Sequence, residues 1–377
     1  MARRVCDGAG ISTSAKSALL AAAVSVAAIG YANAADMPLK APPPPPAPPF
    51  FIVNDTSVSF TYYPNSTDPG VAGGSNNIAT PGGVSGQGNS FARYQGSLDH
   101  FDVWHYGTNL IHAEFDQYGV QDPNEGIPGT AGSREFFGFA QSTLGWNELT
   151  NSKTFSNPIT KDVSLMFRIT GGVQTDFLSE QTTQYAPGLM FDLNLPGVVE
   201  VGITAYKEFT HNSFDSCGPT TFGVAYSGTC LPGTGGPFSG DRDFEWTWKL
   251  FTFISEPLTF LPPSLPITWI NILNVTGPKG TGLSPANCAA IGCGGTTGVG
   301  DPFGINETKT EVFEDTRLSL DASKVFWGKP GIWDLYGGYR YWYNKFGTNH
   351  SDWLFSTVAP GTSIESTAYV GTTYHFK

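Results

Sequence analysis

Apolar and polar residues alternate with a period of two along most of the chain. The C-terminal sequence STAYVGTTYHFK (Ser366–Lys377) has this pattern in a clear form, since small or apolar residues recur at every second position. Successive side chains of a β-strand point to opposite faces, so this period predicts strands with one apolar and one polar face. Twelve segments carry the pattern: 54–63, 93–104, 107–118, 133–145, 161–176, 182–194, 197–210, 241–255, 265–277, 308–324, 331–345 and 364–376.

Aromatic residues are concentrated on the apolar faces of these predicted strands. In RDFEWTWKLF, Phe244, Trp246 and Trp248 share one face, whereas Asp243 and Lys249 share the other. Aromatic outer faces are typical of membrane barrels, and closure of the sheet removes its two open edges. On the last strand, the residues predicted to face lipid are Ala368, Val370, Thr372, Tyr374 and Phe376. The pattern therefore predicts an all-β fold, a transmembrane antiparallel β-barrel of about 12 strands of the bacterial outer-membrane type.

The composition narrows the class of protein. Charged residues make up 14% of the 377 residues, against about 25% in ordinary soluble domains. After the N-terminus, no run of about 18 apolar residues is long enough for a membrane-spanning helix. The formal net charge of -12 makes nucleic acid a poor partner.

The N-terminus has the features of an export signal. Arg3, Arg4 and Lys16 precede an apolar run over 18–29, and the segment 32–34, with alanine at both ends, forms a small-x-small cleavage site. The proline-rich sequence that follows favours a polyproline II spacer. The predicted organisation is a signal peptide at 1–34, a proline-rich periplasmic leader at 35–50 and a barrel with long extracellular loops at 51–377.

The connections between the predicted strands alternate between long and short. Counted from a periplasmic N-terminus, the odd ones include the long segments 64–92, 211–240 and 278–307, whereas the even ones include the two residues 105–106. The segment 146–160 is a longer exception among the even connections. Outer-membrane barrels have short periplasmic turns and longer external loops, so this alternation favours the same fold.

Four cysteines remain once Cys6 leaves with the signal peptide. Three pairings are formally possible, and sequence proximity favours disulfides joining Cys217 to Cys230 and Cys288 to Cys293. Both pairs fall in predicted external loops. A zinc site is the alternative, but it lacks nearby histidines and CxxC spacing.

The polar faces of the predicted strands would line the lumen. Carboxylates there can pair with the hydroxyl groups of a solute while an aromatic ring stacks on its base or sugar. Such weak binding suits a channel for small hydrophilic solutes without a cofactor, although any one of these charges can equally serve to brace the wall. The overall acid excess disfavours anionic solutes. The candidate lumen residues are Glu114, Asp116, Phe139, Arg168, Tyr206, Glu208, Glu245, Lys249, Arg317, Tyr336 and Arg340.

One stretch is similar to a known family. HFDVWHYGTNLIHAEFD (100–116) resembles the second hairpin of the Tsx-like nucleoside-specific channels, with an aromatic-Asp-x-Trp-x-x-Gly turn before a strand that ends in an acid. FRITGGVQTD, FEWTWKLF and GGYRYWYN follow in the order that this family would have. The resemblance implies a monomeric twelve-stranded barrel that passes nucleosides, and it carries no individual binding residue over to this chain.

The C-terminal strand resembles the signal that the barrel-assembly machinery recognises. That signal normally ends in an aromatic residue, whereas here Lys377 follows Phe376. Outer-membrane lipid, this machinery and a small solute are therefore the expected partners.

Besides an adhesive or structural barrel, two other functions are open to a barrel of this size. The first is a general porin without nucleoside preference. The second is a barrel enzyme such as an outer-membrane phospholipase, which needs a serine and a histidine within hydrogen-bond reach. No Ser/His/Asn motif occurs around the histidines, so we expect no enzyme. A metal cluster of His112, Glu114 and Asp116 on one strand face is a further alternative.

Overall fold

The computed structural model describes residues 50–69, 90–120, 122, 132–175, 181–211, 241–282, 308–351 and 360–376. The chain divides into two units, Met1–Pro48 and Pro49–Lys377, and every strand described below belongs to the second. The signal peptide, nearly all of the leader and the two cysteine pairs lie outside the described residues, so they stay predictions.

Within these ranges the chain forms one antiparallel sheet of thirteen strands. Neighbouring strands in the sequence pair with one another, β1 pairs with β13, and β6 pairs with β7, so the sheet closes on itself. A closed sheet has no unpaired edge. The strands are β1 (Phe51–Ser66), β2 (Phe91–Trp104), β3 (Gly107–Tyr118), β4 (Arg134–Gly145), β5 (Thr160–Thr175), β6 (Gln181–Leu193), β7 (Val198–His211), β8 (Asp241–Asp243), β9 (Thr247–Pro257), β10 (Ile267–Thr276), β11 (Glu311–Asp321), β12 (Trp333–Tyr343) and β13 (Ile364–Phe376).

The barrel wall is twelve strands wide, because β8 and β9 both pair with β7 and together form one interrupted strand. Each predicted segment overlaps one of these twelve strands, so the predicted fold class is confirmed. Both chain ends of the barrel lie at the end with the shorter connections, such as the two-residue turn at 105–106. We assign this end to the periplasm, because periplasmic turns are the shorter ones.

Two short helices follow strands at the periplasmic end of the barrel. Helix α1 (Trp146–Thr150) follows β4 and accounts for the long even connection. Helix α2 (Ala322–Trp327) begins where Asp321 accepts a hydrogen bond from the Lys324 backbone N–H at 2.8 Å. This cap ends β11 before residue 324. In the described part of the chain, neither helix is long and apolar enough to span a membrane.

A β-bulge separates β8 from β9. Phe209 pairs with Asp243 and Tyr206 with Thr247, so two residues of β7 lie opposite the three residues 244–246. The extra residue reverses which face each side chain occupies beyond this point. Phe244 is therefore buried, while Trp246 is 59% exposed.

Because of this bulge, the faces predicted for β8 and β9 need correction. The prediction that Phe244 shares the lipid face with Trp246 and Trp248 is wrong, and so is the inner position of Asp243. The Asp243 side chain is exposed and pairs with Lys207, which projects from the outer face of β7. Strict alternation across RDFEWTWKLF misses the extra residue.

Candidate functional site in the barrel lumen

The inner and outer faces of the wall differ sharply in polarity. Large apolar side chains project outward and are exposed, including Phe115 (62%), Ile203 (57%) and Val370 (60%). The alternate positions carry buried or half-buried polar and charged groups. On β13, the predicted lipid-facing residues alternate with buried ones, which confirms the predicted faces.

A closed sheet with an apolar exterior and a charged interior is stable only where hydrocarbon meets its outer face. The chain is a bacterial outer-membrane β-barrel.

A buried ion cluster lies at the extracellular end of the lumen. The Arg93 guanidinium is 3.8 Å from both Asp116 and Glu365. The Lys345 Nζ is 3.1 Å from Glu365 and 2.5 Å from Asp68. All of these side chains are at most 4% exposed. We call these five residues the loop-end ion cluster.

Burial alone would lower the pKa of Lys345, which lies in a 3-10 turn after β12. The carboxylates of Asp68 and Glu365 outweigh this effect and raise the pKa above its ordinary value. Lys345 therefore stays charged and holds the turn to the wall.

Three buried tyrosines form a second group in the lumen: Tyr63, Tyr336 and Tyr369. Arg93 and Arg340 lie over the Tyr63 ring at 4.0 and 4.8 Å. Arg340 also pairs with Asp315, Nε to Oδ2, at 2.8 Å. Cation–π contacts of this kind stabilise a desolvated ring and cation together.

A third group surrounds His112. Its two ring nitrogens contact Asp99 at 2.6 Å and Glu114 at 3.0 Å. Its ring stacks on Phe139 at 5.1 Å, and Arg168 lies over the same Phe139 ring at 3.5 Å. The predicted stacking platform at Phe139 therefore already has contacts from two neighbours.

A fourth group follows β7. The Tyr206 hydroxyl donates to Glu208 at 2.6 Å, and Glu208 pairs with Lys279 at 2.6 Å. Lys279 lies over the ring of the inward-turned Phe244 at 4.4 Å. Lys249 lies over the Tyr206 ring at 4.7 Å.

The structure brings most of the predicted lumen residues to the inner face. Glu245 is separate from them, because it lies in the β8–β9 bulge and is exposed. The residues on the inner face are Glu114, Asp116, Phe139, Arg168, Tyr206, Glu208, Lys249, Arg317, Tyr336 and Arg340.

Sequence reasoning missed several residues of these groups. Arg93 and Glu365 begin predicted strands, and period-two alternation gives their face but not their pairing. Lys345 lies at the end of a predicted strand, yet Asn344 and Phe346 adopt φ angles of 50° and 62°. This left-handed backbone ends β12 and turns the lysine inward.

A metal site is the remaining alternative for this region. In the part of the chain that the structure describes, no group of three or more histidine, cysteine, aspartate or glutamate side chains has an arrangement that could hold a metal ion. His112 instead contacts two carboxylates directly.

Comparison with known proteins finds distant structural likenesses. No protein-family model matches the chain, and no curated protein matches it. The β domain of the Bordetella autotransporter Brka is 10% identical, with 85% of this chain and 98% of that chain covered and a TM-score of 0.31. The outer-membrane protein OpdK of Pseudomonas aeruginosa is 10% identical, with 87% and 100% covered and a TM-score of 0.21. A BenF-like porin of Pseudomonas fluorescens Pf-5 is 8% identical, with the same coverage and a TM-score of 0.21.

Proposed function

We propose that this barrel is a channel through which small hydrophilic solutes diffuse across the outer membrane. The observation that carries this proposal is the charged inner face enclosed by an apolar, closed wall. A barrel of about eight strands has an interior filled by side chains, whereas a barrel of about sixteen strands encloses an aqueous channel. This barrel, with twelve strands in its wall, is intermediate between these two sizes. The channel is accordingly narrow, and its wall side chains contact the solute.

Pairing within the lumen supports weak rather than tight solute binding. Asp116, Glu208 and Glu365 each have a basic partner within 4.0 Å. A solute must compete with these partners, so its residence is short. Conduction needs binding that is weak enough for the solute to leave.

We further propose nucleosides as the preferred solutes, following the resemblance in residues 100–116. Phe139, Tyr206 and Tyr336 are aromatic rings of the inner face. Glu208 accepts a hydrogen bond from the Tyr206 hydroxyl, and Glu114 contacts the His112 ring that stacks on Phe139. Each ring has a cation over one face, at 3.5, 4.7 and 4.8 Å respectively. At Tyr206 and Tyr336, a nucleoside base would use the opposite face of the ring or displace that cation. At Phe139, the base would also compete with the stacked His112 ring.

Liposome swelling with the purified full chain tests both levels of the proposal. Swelling in small sugars that is absent from protein-free liposomes is expected for any channel. Faster swelling in adenosine and uridine than in sugars of equal size is expected for a nucleoside channel. Rates that depend on size alone would reduce the function to that of a general porin, and no swelling in any solute would overturn the channel itself.

One contact in the structure is relevant to the alternative function, a barrel phospholipase, because it joins a serine to a histidine. His350 Nδ1 lies 3.0 Å from the Ser363 hydroxyl. Ser363 is 0% exposed, so a lipid ester cannot reach its oxygen. We expect no fatty-acid release when the same preparation is incubated with phospholipid, whereas release would favour the enzyme.

The remaining partners follow from the same proposal. We propose that the chain acts as a monomer and that the barrel-assembly machinery recognises β13. The outward aromatic residues Tyr374 and Phe376 at its end, 47% and 50% exposed, support this assignment.

A further inference from the structure

Two cations of the inner face, Arg168 and Lys249, lie beside one cavity without a carboxylate partner. Among the described residues, they make contacts with aromatic rings but neither a hydrogen bond nor an ion pair through their side chains. Arg317 also lies over a ring, that of Tyr336, but it does not line this cavity. Four further cations each lie within 4.0 Å of a carboxylate oxygen: Arg93, Lys279, Arg340 and Lys345.

Two acids whose charges act on Lys249, Glu208 and Glu311, already have other partners. Glu208 pairs with Lys279 and accepts the Tyr206 hydroxyl. Glu311 accepts a hydrogen bond from Trp342 Nε1 at 2.6 Å. The positive charge of Lys249 is therefore close to acids but not neutralised by direct contact.

The cavity that both cations line lies against β5, β6, β7 and β9. Its volume of about 10 Å³ is about that of one water-sized group. Arg168 pairs across the sheet with Ala186, whose small side chain leaves space beside the guanidinium. The remaining lining consists of Met166, Thr170, Gln184, Thr204, Tyr206 and Phe251.

Arg168 and Lys249 line the same small cavity, so their like charges repel each other. Met166 and Phe251 belong to an apolar cluster on one side of the cavity, which reduces access of water to the cations. Like charges beside an apolar surface are unfavourable without a counter-ion. An anionic group between them would remove the repulsion.

We propose that Arg168 and Lys249 bind the carboxylate of a small organic anion during its passage. This inference rests on the proposed channel function but not on the nucleoside preference, and it adds small carboxylates to the solutes of the channel. The planar guanidinium presents two parallel N–H donors to a carboxylate, while the ammonium adds a third donor. Thr170 and Gln184 supply further donors at the cavity wall. The cavity has room for about one oxygen atom of a carboxylate, and this planar group occupies less space than a tetrahedral phosphate.

A site for an anion differs from the expectation that the excess of acidic residues in the whole chain disfavours anionic solutes. Net charge describes the whole chain, whereas the local field depends on which charges are paired. Here several inner-face acids are paired with bases, and two bases are left to face the cavity.

Planar-bilayer recordings of the purified full chain in KCl test this site. Sodium lactate is the probe, and lactamide is the neutral control of similar size. Lactate is expected to reduce the current at concentrations at which lactamide has no effect. Arg168→Gln and Lys249→Gln are each expected to raise the half-blocking lactate concentration about tenfold or more. Lys207→Gln removes a cation from the outer face and is expected to leave it unchanged.

The outcomes separate this inference from the channel proposal. Equal effects of lactate and lactamide, or unchanged block in both site variants, would overturn the carboxylate site while the channel stands. Block by inorganic phosphate at lower concentrations than by lactate would overturn the choice of carboxylate. Absence of any current would overturn the channel, and calorimetric titration of the detergent-solubilised barrel with lactate would then decide the site.

In this titration, lactate binding that both variants lose supports the site, and no binding overturns it. Heat-dependent gel mobility verifies that each variant is folded.

Discussion

The ring of Tyr336 on β12 lies directly over Gly371 on β13, its cross-strand partner. The arrangement is reciprocal, because Tyr369 on β13 lies over Gly338 on β12. A Cβ atom at either glycine would overlap the tyrosine ring. Two adjacent strands are thus joined by interlocked side chains on the inner face, beside the Tyr63 ring.

Replacing Gly371 with alanine tests the packing of the Tyr336 ring against this glycine. The added methyl group must displace Tyr336, and overpacking of this kind costs about 1–3 kcal/mol. We expect Gly371→Ala to lower the free energy of unfolding by that amount in urea titrations of the reconstituted barrel. Gly337→Ala is the matched control, because the nearest atom to its Cβ would be the Tyr369 carbonyl oxygen at 3.8 Å. Equal losses in both variants would contradict the interlock.

The loop-end ion cluster makes a second prediction. Glu365 is 0% exposed and contacts both Lys345 and Arg93. Glu365→Gln leaves two buried cations with less compensation, and removing one partner of a buried pair costs about 3–5 kcal/mol. Urea unfolding of the reconstituted variant measures this loss.

The control for this variant is an exposed ion pair of the same barrel. Asp241 lies 2.8 Å from His211, and their side chains are 70% and 43% exposed. Asp241→Asn is expected to cost less than about 1 kcal/mol, since water screens such pairs. A loss in Glu365→Gln no larger than this would show that the cluster does not hold the lumen together.

Much of the fold follows from the period-two pattern alone. The faces of β7, β12 and β13 could be predicted because none of these strands contains an extra residue, so the alternation of each strand's own sequence is sufficient. The faces of β8 could not, because the extra residue between Asp243 and Thr247 becomes visible only against the register of β7. A bulge is a property of two strands, and one strand's alternation does not contain it.

The lumen was harder to predict than the wall. The polar face of each strand identifies inward residues such as Arg168 and Glu208, but not which charges meet. Arg93 and Glu365 lie on β2 and β13, which are separated by β1 in the sheet. Their contact depends on closure and curvature of the whole barrel. The assignment of Arg168 as an unpaired cation likewise needs every neighbouring strand.

The raised pKa of Lys345 makes a prediction about pH. A lysine whose folded-state pKa exceeds its unfolded value of about 10.4 contributes its full stabilisation below that pH. The contribution is lost as the pH rises through the folded-state pKa. The difference in unfolding free energy between the natural chain and Lys345→Met should thus stay constant from about pH 7 to 9 and shrink above about pH 10.5.

An exposed lysine provides the comparison for this pH series. Lys161 lies at the periplasmic rim, where its Nζ contacts backbone carbonyl oxygens at 3.4 Å. Lys161→Met is expected to have a small effect at every pH. If the Lys345→Met difference already falls between about pH 7 and 9, the ion pairs with Asp68 and Glu365 do not raise its pKa.

The outward position of Val370 predicts how the barrel responds to a charge on its lipid face. Val370 is 60% exposed and lies near the middle of β13. If hydrocarbon surrounds this position, Val370→Arg costs about 2–4 kcal/mol, whereas Phe376→Arg at the strand end costs about 0–1 kcal/mol. On a water-exposed surface both changes would stay within about 0.5 kcal/mol of zero. Urea-dependent unfolding in phospholipid vesicles measures the two costs. Similar small values for both variants would mean that the apolar face does not meet lipid, and the outer-membrane assignment would fail with it.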